Sequence, residues 1–172
     1  MASLHINVGD VPDLARKRVI ITGGSSGIGL AAATIFAQKG ATVLDLDINP
    51  PPADRHSSIE YRPCDVSKWS DLKHAFQYAG DVDIAVSNAG VSEETDYFAD
   101  TFDDKDELLE PKYRVLDVNL RAVLNFTKLA LSHFRRRKHA GSIVITSSAT
   151  AYAPEQSLPV YSASKLAVCL FI

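Results

Sequence analysis

Cysteine is scarce in this chain: two residues, Cys64 and Cys169, among 172. Neither sits in a CxxC pair, so no thiolate metal site is spelled out, and a reducing compartment would keep both thiols free. The five histidines (His5, His56, His74, His133, His139) are scattered, without HxxxH or HExxH spacing, and give no case for a resident metal. Charge of neither sign is in large excess. A net charge of −3 supplies no general attraction to nucleic acid or to an anionic membrane. No apolar run approaches the roughly 20 residues that cross a bilayer. The start, MASLHINVGDVPDL, lacks the basic end and apolar stretch of a secretory signal. Repeats and low-complexity segments are missing as well. These absences predict a cytoplasmic protein with no metal, nucleic-acid or membrane partner. With 46% hydrophobic and 23% charged residues, 1–172 reads as a single globular domain.

What is present is alternation. RVIIT (18–22) is a short β-branched run and predicts a buried strand. GIGLAAATIFAQKG (27–40) has helical apolar spacing and a terminating glycine. ATVLDLD (41–47) is a second strand, and the prolines of NPPPADRHSS (49–58) force a loop. IEYRPCDV (59–66) is a third strand. SKWSDLKHAFQYAG (67–80) is a helix that Ser67 is placed to cap. VDIAVSNAG (82–90) runs from a strand into a turn, 111–139 is a long helix, GSIVITSS (141–148) is a fifth strand, and another helix follows. Strands alternating with helices predict an α/β fold: a doubly wound, Rossmann-type parallel sheet with helices on both faces. Ligands in such folds bind at the carboxyl ends of the strands.

The turn TGGSSGIG (22–29) lies at such an end, with glycines at Gly23, Gly27 and Gly29. Glycine lets a backbone approach a ligand closely, and a helix N-terminus attracts a pyrophosphate. Gly23, Ser25, Ser26, Gly27, Ile28 and Gly29 are therefore candidate cofactor-binding residues. Asp47 closes the second strand 18 residues after Gly29, where a carboxylate would hydrogen-bond the adenosine ribose. A carboxylate there repels a 2′-phosphate, and no Arg or Lys in the turn or directly after Asp47 offsets it. NAD is preferred, with NADP as the open alternative. Asp45 shares a face with Asp47 and reads either as a solvated strand residue or as a second ribose contact. Asp65 and Val66 suit the adenine edge, although Asp65 reads equally as a cap for the next helix.

Together these residues resemble the short-chain dehydrogenase/reductase family, from about Lys17 to Ala167. The glycine turn matches the family's cofactor motif. SNAG (87–90) is similar to its NNAG motif, with Ser87 for the first Asn, and contributes Asn88, Ala89 and Gly90. DVNL (117–120) places Asn119 at the family's active-site asparagine, ITSS (145–148) supplies Ser148, and YSASK (161–165) supplies Tyr161 and Lys165. Ser148 and Tyr161 are 13 apart, the family spacing. VITSSATAYAPEQSLPVYSASK (144–165) and the long helix also resemble fungal secondary-metabolism members.

The resemblance implies an NAD(P)-dependent oxidoreductase that interconverts a secondary alcohol and a ketone. Tyr161 would be the general acid/base. A free tyrosine titrates near ~10, and the Lys165 ammonium, four residues along the helix, favours the phenolate. Lys165 would also hold the nicotinamide ribose, Ser148 would hydrogen-bond the reacting oxygen, and Asn119 would hold a water behind the lysine. Tyr161 and Lys165 thus count among both the catalytic and the cofactor-binding residues. Each has a duller reading: the serines as strand-end caps, Tyr161 as a plain helix aromatic, Lys165 and Asn119 as surface residues.

Two charged stretches stand apart. EETDYFADTFDDKDELLE (93–110) holds nine acids and one lysine, and reads as a solvated loop and helix start rather than a site for a cationic substrate. RRRKH (135–139) suits a helix C-terminus. Beyond Lys165 the resemblance implies further strands, a proline-glycine turn and a substrate-covering segment, whereas residues 168–172 depart from the pattern. The expectation is a chain cut short after the Tyr-x-x-x-Lys helix, with the C-terminal strands missing, an open apolar edge at the fifth strand, and an exposed apolar tail. A complete relative would be a homo-oligomer. A non-catalytic cofactor-binding or regulatory fragment is the alternative reading of the chain.

Overall fold

Val19, Ile20 and Ile21 form the centre of β1 (Arg18–Thr22), and all three are fully buried. A strand covered on both faces has no polar side to show, which is why it reads as a continuous apolar run. In this computed structural model, which describes residues 7–138 and 140–171, β1 is central. β2 (Thr42–Asp47) flanks it on one side and β4 (Ile84–Ser87) on the other. β3 (Ile59–Pro63) pairs with β2, and β5 (Ser142–Ile145) pairs with β4. Every pairing is parallel, in the order β3-β2-β1-β4-β5. The chain winds outward from β1 first one way and then the other, so the carboxyl ends of β1 and β4 flank the point of reversal. The predicted doubly wound α/β fold is the observed one.

Each face has its own core. On one, α1 (Gly27–Gln38) lays Ala33 and Ala37 against Val19, Ile21, Val43 and Val86. On the other, α2 (Trp69–Tyr78) and α4 (Ala122–Arg137) cover Ile20, Leu44, Leu46 and Ala85 with Leu72, Phe76, Phe126 and Phe134. α5 (Pro159–Phe171) buries Val168 and packs against the start of the long helix. No helix among the described residues is long and apolar enough to cross a membrane.

Several boundaries differ from the sequence expectation. β3 ends at Pro63, β4 spans Ile84–Ser87 and β5 stops at Ile145, so the residues beyond each are free to line a ligand site. Ser67 does not cap α2: the helix begins at Trp69 with Lys68 as its uncapped first flank. Ser67 instead donates its N–H and hydroxyl to the Asp65 carboxylate, which locks it into the preceding turn. The helix placed at 111–139 begins as α3 (Arg114–Leu116) and opens into a π turn at Asp117–Arg121 before continuing as α4. The acidic stretch 93–110 therefore contains no helix start. It is an exposed loop carrying one isolated bridge, Phe102 to Leu108. Arg135, Arg136 and Arg137 occupy the last turn of α4, as expected for cations at a helix C-terminus. His5, His139 and Ile172 lie outside the described residues.

Candidate active site

The carboxyl ends of β1, β2 and β4, the segment after β5 and the first turn of α5 surround one cleft of about 1030 Å³. Gly23, Ser26, Gly27, Ile28, Asp47, Asp65, Val66, Asn88, Ala89, Gly90, Ser148, Tyr161 and Lys165 all line it. Ser25, Gly29 and Asn119 do not; they lie behind its wall.

The glycine end is built for close approach. A Cβ on Gly29 would lie 1.9 Å from the Gly23 carbonyl oxygen, and Gly23 itself has φ +67°. No side chain caps α1, so the amides of its first turn carry no side-chain acceptor. Asn88 binds the turn from the other side, donating from Nδ2 to Gly23 O at 3.1 Å. The Thr22 hydroxyl accepts the N–H groups of Asn88 and Ala89 at 3.0 and 3.1 Å, and the Thr146 hydroxyl donates to Asn88 Oδ1 at 3.1 Å. Four strand ends and turns are thereby held in register. Thr22 and Thr146 escaped the sequence reading. Their only signal is position, as the last residue of β1 and the first after β5.

Asp47 holds its carboxylate at the cleft by accepting Ser25 N–H at 3.2 Å and Asn49 N–H at 3.0 Å. Asp45 is no solvated strand residue: it is completely buried, because β2 lies inside the sheet, and it accepts the Ser25 hydroxyl at 2.8 Å. Asp65 lines the cleft and organises the turn before α2 by accepting from Ser67, but it does not cap the helix, which has no side-chain cap. The Ser67 hydroxyl bond holds it below the usual carboxylate range. Cys64 is buried at the same wall, and burial pushes its thiol up to about 12.

At the other end, Lys165 is 4% exposed, and its ammonium donates to Thr146 O at 3.0 Å and lies 5.7 Å from the Tyr161 ring centroid. Burial lowers its pKa from the ordinary lysine value, against a smaller opposing effect of Cys169. Lys165 is thus not a surface lysine, nor is Asn119 a surface residue. Asn119 sits in the π turn at 0% exposure, with its amide clamping both polar groups of Val91: Oδ1 accepts Val91 N–H at 2.9 Å and Nδ2 donates to Val91 O at 2.8 Å. The Ser148 hydroxyl accepts from Thr150 N–H at 3.2 Å and caps the short turn Ala149–Ala151, so the capping role and the cleft position coincide. Ser147 also lines the cleft, but its hydroxyl is engaged by Lys165 O, to which it donates at 3.1 Å. Glu93 was not singled out by the sequence; its carboxylate accepts the N–H groups of Val160 and Tyr161 at the start of α5.

A glycine turn and an acid at one end of a cleft, with Ser, Tyr and Lys at the other, is the layout of a dinucleotide-binding α/β domain. The chain belongs to the short-chain dehydrogenase family, whose model, described as short chain dehydrogenase, matches residues 17–172. It is 54% identical over 166 residues to the short-chain dehydrogenase/reductase prx4 of Penicillium roqueforti, covering 96% of this chain and 50% of that protein. It is 45% identical to the short-chain dehydrogenase/reductase ATR7 of Stachybotrys chlorohalonatus, covering 98% and 54%. The chain thus spans about half the length of these curated relatives. Among solved structures it is similar to a 3-ketoacyl-(acyl-carrier-protein) reductase from Brucella melitensis complexed with NADH (TM-score 0.78, 28% identity, 92% of this chain and 68% of that one). A short chain dehydrogenase from Leptospira borgpetersenii, at 22% identity and TM-score 0.80, shares the fold.

Proposed function

We propose that the chain carries the nucleotide site and the reacting groups of an NAD-dependent oxidoreductase that interconverts a secondary alcohol and a ketone. The observation that supports this best is that Ser148, Tyr161 and Lys165 line the same cleft as the glycine turn and Asp47. The residues suit a dinucleotide: the Gly23–Gly29 contact leaves no room for a side chain, the α1 amides carry no side-chain cap, and Asp47 faces the cleft. Gly23, Ser26, Gly27 and Ile28 would hold the pyrophosphate, Asp47 the adenosine ribose, Asp65 and Val66 the adenine, and Lys165 the nicotinamide ribose. When bound, the cofactor supplies or accepts the hydride.

The chain's own residues handle the proton and the orientation. Tyr161 Oη takes the alcohol proton, or returns it to the carbonyl oxygen in the reverse direction. Ser148 Oγ hydrogen-bonds that same oxygen and fixes it. Lys165 places a buried positive charge beside the ring, and Asn119 would hold a water behind it. Asp47 favours NAD over NADP. The substrate is a small molecule and the compartment is the cytoplasm, and a complete relative would be a homo-oligomer. Similarity to Penicillium and Stachybotrys proteins supports a place among the fungal members, and with it a role in secondary metabolism.

Purified protein with NAD or NADH and a panel of secondary alcohols and ketones tests the reading. Turnover that Tyr161→Phe leaves unchanged would refute the assigned mechanism. A second reading, cofactor binding without turnover, is favoured by one fact: the chain spans half the length of its relatives. Calorimetric titration with NAD that shows binding, in a protein inert toward the panel, would establish it.

A further inference from the structure

Asp45 is a carboxylate in the middle of a parallel sheet, with Ile21 of β1 and Tyr61 of β3 as its register neighbours. An apolar side chain is the rule there, because a buried charge is costly. Side chains alternate along a strand, so Asp45 and Asp47 leave β2 on the same face, beneath the glycine turn. Ser25 joins them. Its hydroxyl donates to Asp45 Oδ2 at 2.8 Å, and its backbone N–H donates to Asp47 Oδ2 at 3.2 Å. A Cβ on Gly24 would meet Asp45 Oδ1 at 2.4 Å, so the carboxylate lies hard against the turn. That Oδ1 has no hydrogen-bond partner; the Gly24 amide favours the charged form without completing a bond to it.

We propose that Asp45 determines cofactor specificity from beneath the site: through Ser25 it holds the turn and Asp47 in place, and its buried charge adds to that of Asp47 against a ribose bearing a 2′-phosphate. The inference rests on the nicotinamide-cofactor reading above. Asp45 does not line the cleft, so it acts by its field and through Ser25, which makes it a positioning residue. The groups facing it are few. Asp47 on its own strand disfavours its charge, Arg55 of the following loop favours it, and the Ser25 hydroxyl favours it more strongly than either. Tyr61 on β3 is a neutral phenol held above its ordinary value by burial and then by the two carboxylates. Burial, the largest influence, brings Asp45 up to about 6. The second charge is therefore present above neutrality and withdrawn in mild acid.

The test is calorimetric titration of the unaltered protein, Asp45→Asn and Ser25→Ala with NAD+ and with NADP+, across pH 5 to 8.5 (~, bracketing the carboxylate). In the unaltered protein NAD+ binds more tightly than NADP+ above neutrality. Asp45→Asn lowers that preference about fivefold, the scale of one charge acting across several ångströms of partly polar medium. The difference between the two proteins vanishes in mild acid. The comparison between proteins is needed because a 2′-phosphate itself titrates near ~6. Ser25→Ala removes the hydroxyl that favours ionised Asp45, so the part of the preference owed to Asp45 is lost at a higher pH than in the unaltered protein, a shift that a purely structural role would not produce. NAD+ binding with an unchanged preference in Asp45→Asn overturns the inference and leaves the cofactor reading standing. Failure of the unaltered protein to bind either nucleotide overturns both. Should Asp45→Asn not fold, an unmoved pH dependence in Ser25→Ala overturns the inference by itself.

Discussion

Tyr161 gives its backbone N–H to the carboxylate of a residue 68 positions earlier: Glu93 Oε2 accepts it at 2.9 Å, while Oε1 accepts Val160 N–H at 3.2 Å. Leu158 and Pro159, at the start of α5, have no side-chain acceptor. Glu93 therefore does from a distant loop what an N-cap side chain does locally, and its charge suits the positive end of the helix. Glu93→Ala is expected to cost about 1 kcal/mol, a fall of roughly 2–4 °C in melting temperature for a chain of this size. It should also speed amide exchange at Val160 and Tyr161, with Glu93→Gln intermediate. Unaltered exchange at those two amides would rule out the cap.

Gly29→Ala should remove cofactor binding before it removes the fold. Its new methyl would meet the Gly23 carbonyl at 1.9 Å and Asn88 Nδ2 at 2.5 Å, both at the floor of the cleft. A loss of NAD affinity of at least about tenfold is expected, equivalent to about 1.4 kcal/mol. Titration together with circular dichroism checks it, and native affinity in the variant would contradict the geometry.

Lys165 sets function against stability. Burial lowers its pKa from the ordinary 10.5, so below that lowered value the folded protein carries an ammonium that the unfolded chain solvates better. Between the lowered folded value and the unfolded one, the unfolded state binds more protons, and stability rises with pH. Lys165→Met should flatten that rise in urea unfolding curves and melt no lower near neutrality, while losing turnover. A variant with the same alkaline slope as the parent would disprove the assignment.

Asp45 predicts the opposite slope in acid. Its folded value of about 6 lies above the unfolded 3.8, so the folded state holds the extra proton between them. The stability linked to this group is full below the unfolded value and lost as pH rises through about 6. Asp45→Asn should abolish that loss, measured as the change in unfolding free energy from acid to neutral pH. An unchanged slope would count against a buried, titrating carboxylate.

The apolar residues along α5 bear on association. Leu166 and Leu170 lie one turn apart at 41% and 78% exposure, and Val144 on the edge strand β5 is 48% exposed. Exposed apolar faces and open edges favour contact with another chain. Glu at positions 166 and 170 should lower the sedimentation-derived mass at high concentration if that face mediates assembly; an unchanged mass would exclude it.

The succession of strands and helices along the chain and the glycine turn were legible because they rest on local pattern. β-branched runs mark the buried strands, and the spacing from Gly29 to Asp47 follows from the length of α1. Periodicity also put Asp45 and Asp47 on one face, but not the depth of Asp45, because burial depends on how Gly24 and Ser25 of the glycine turn lie against it. The π turn at Asn119 left no trace in a run that reads as continuous helix. Ser67 shows a residue of the right type losing to a better competitor, the Asp65 carboxylate two positions away. Glu93, Thr22 and Thr146 act across 19 to 68 residues of chain, and no local pattern encodes such pairings.

The segment after β4 is fastened at both ends and little elsewhere. Asn119 grips Val91, Glu93 is tied to α5, and Arg114 pairs with Glu94 at 2.9 Å where the long helix begins. Between Thr95 and Tyr113 the segment bonds within itself, as where Asp103 accepts from Lys105 and Glu107 and where Tyr113 meets Tyr97. Such a stretch can be rewritten in length and composition while its anchor points stay fixed. A lineage could change this stretch without rebuilding the machinery beneath it, and a designer could graft a different loop between the same two anchors.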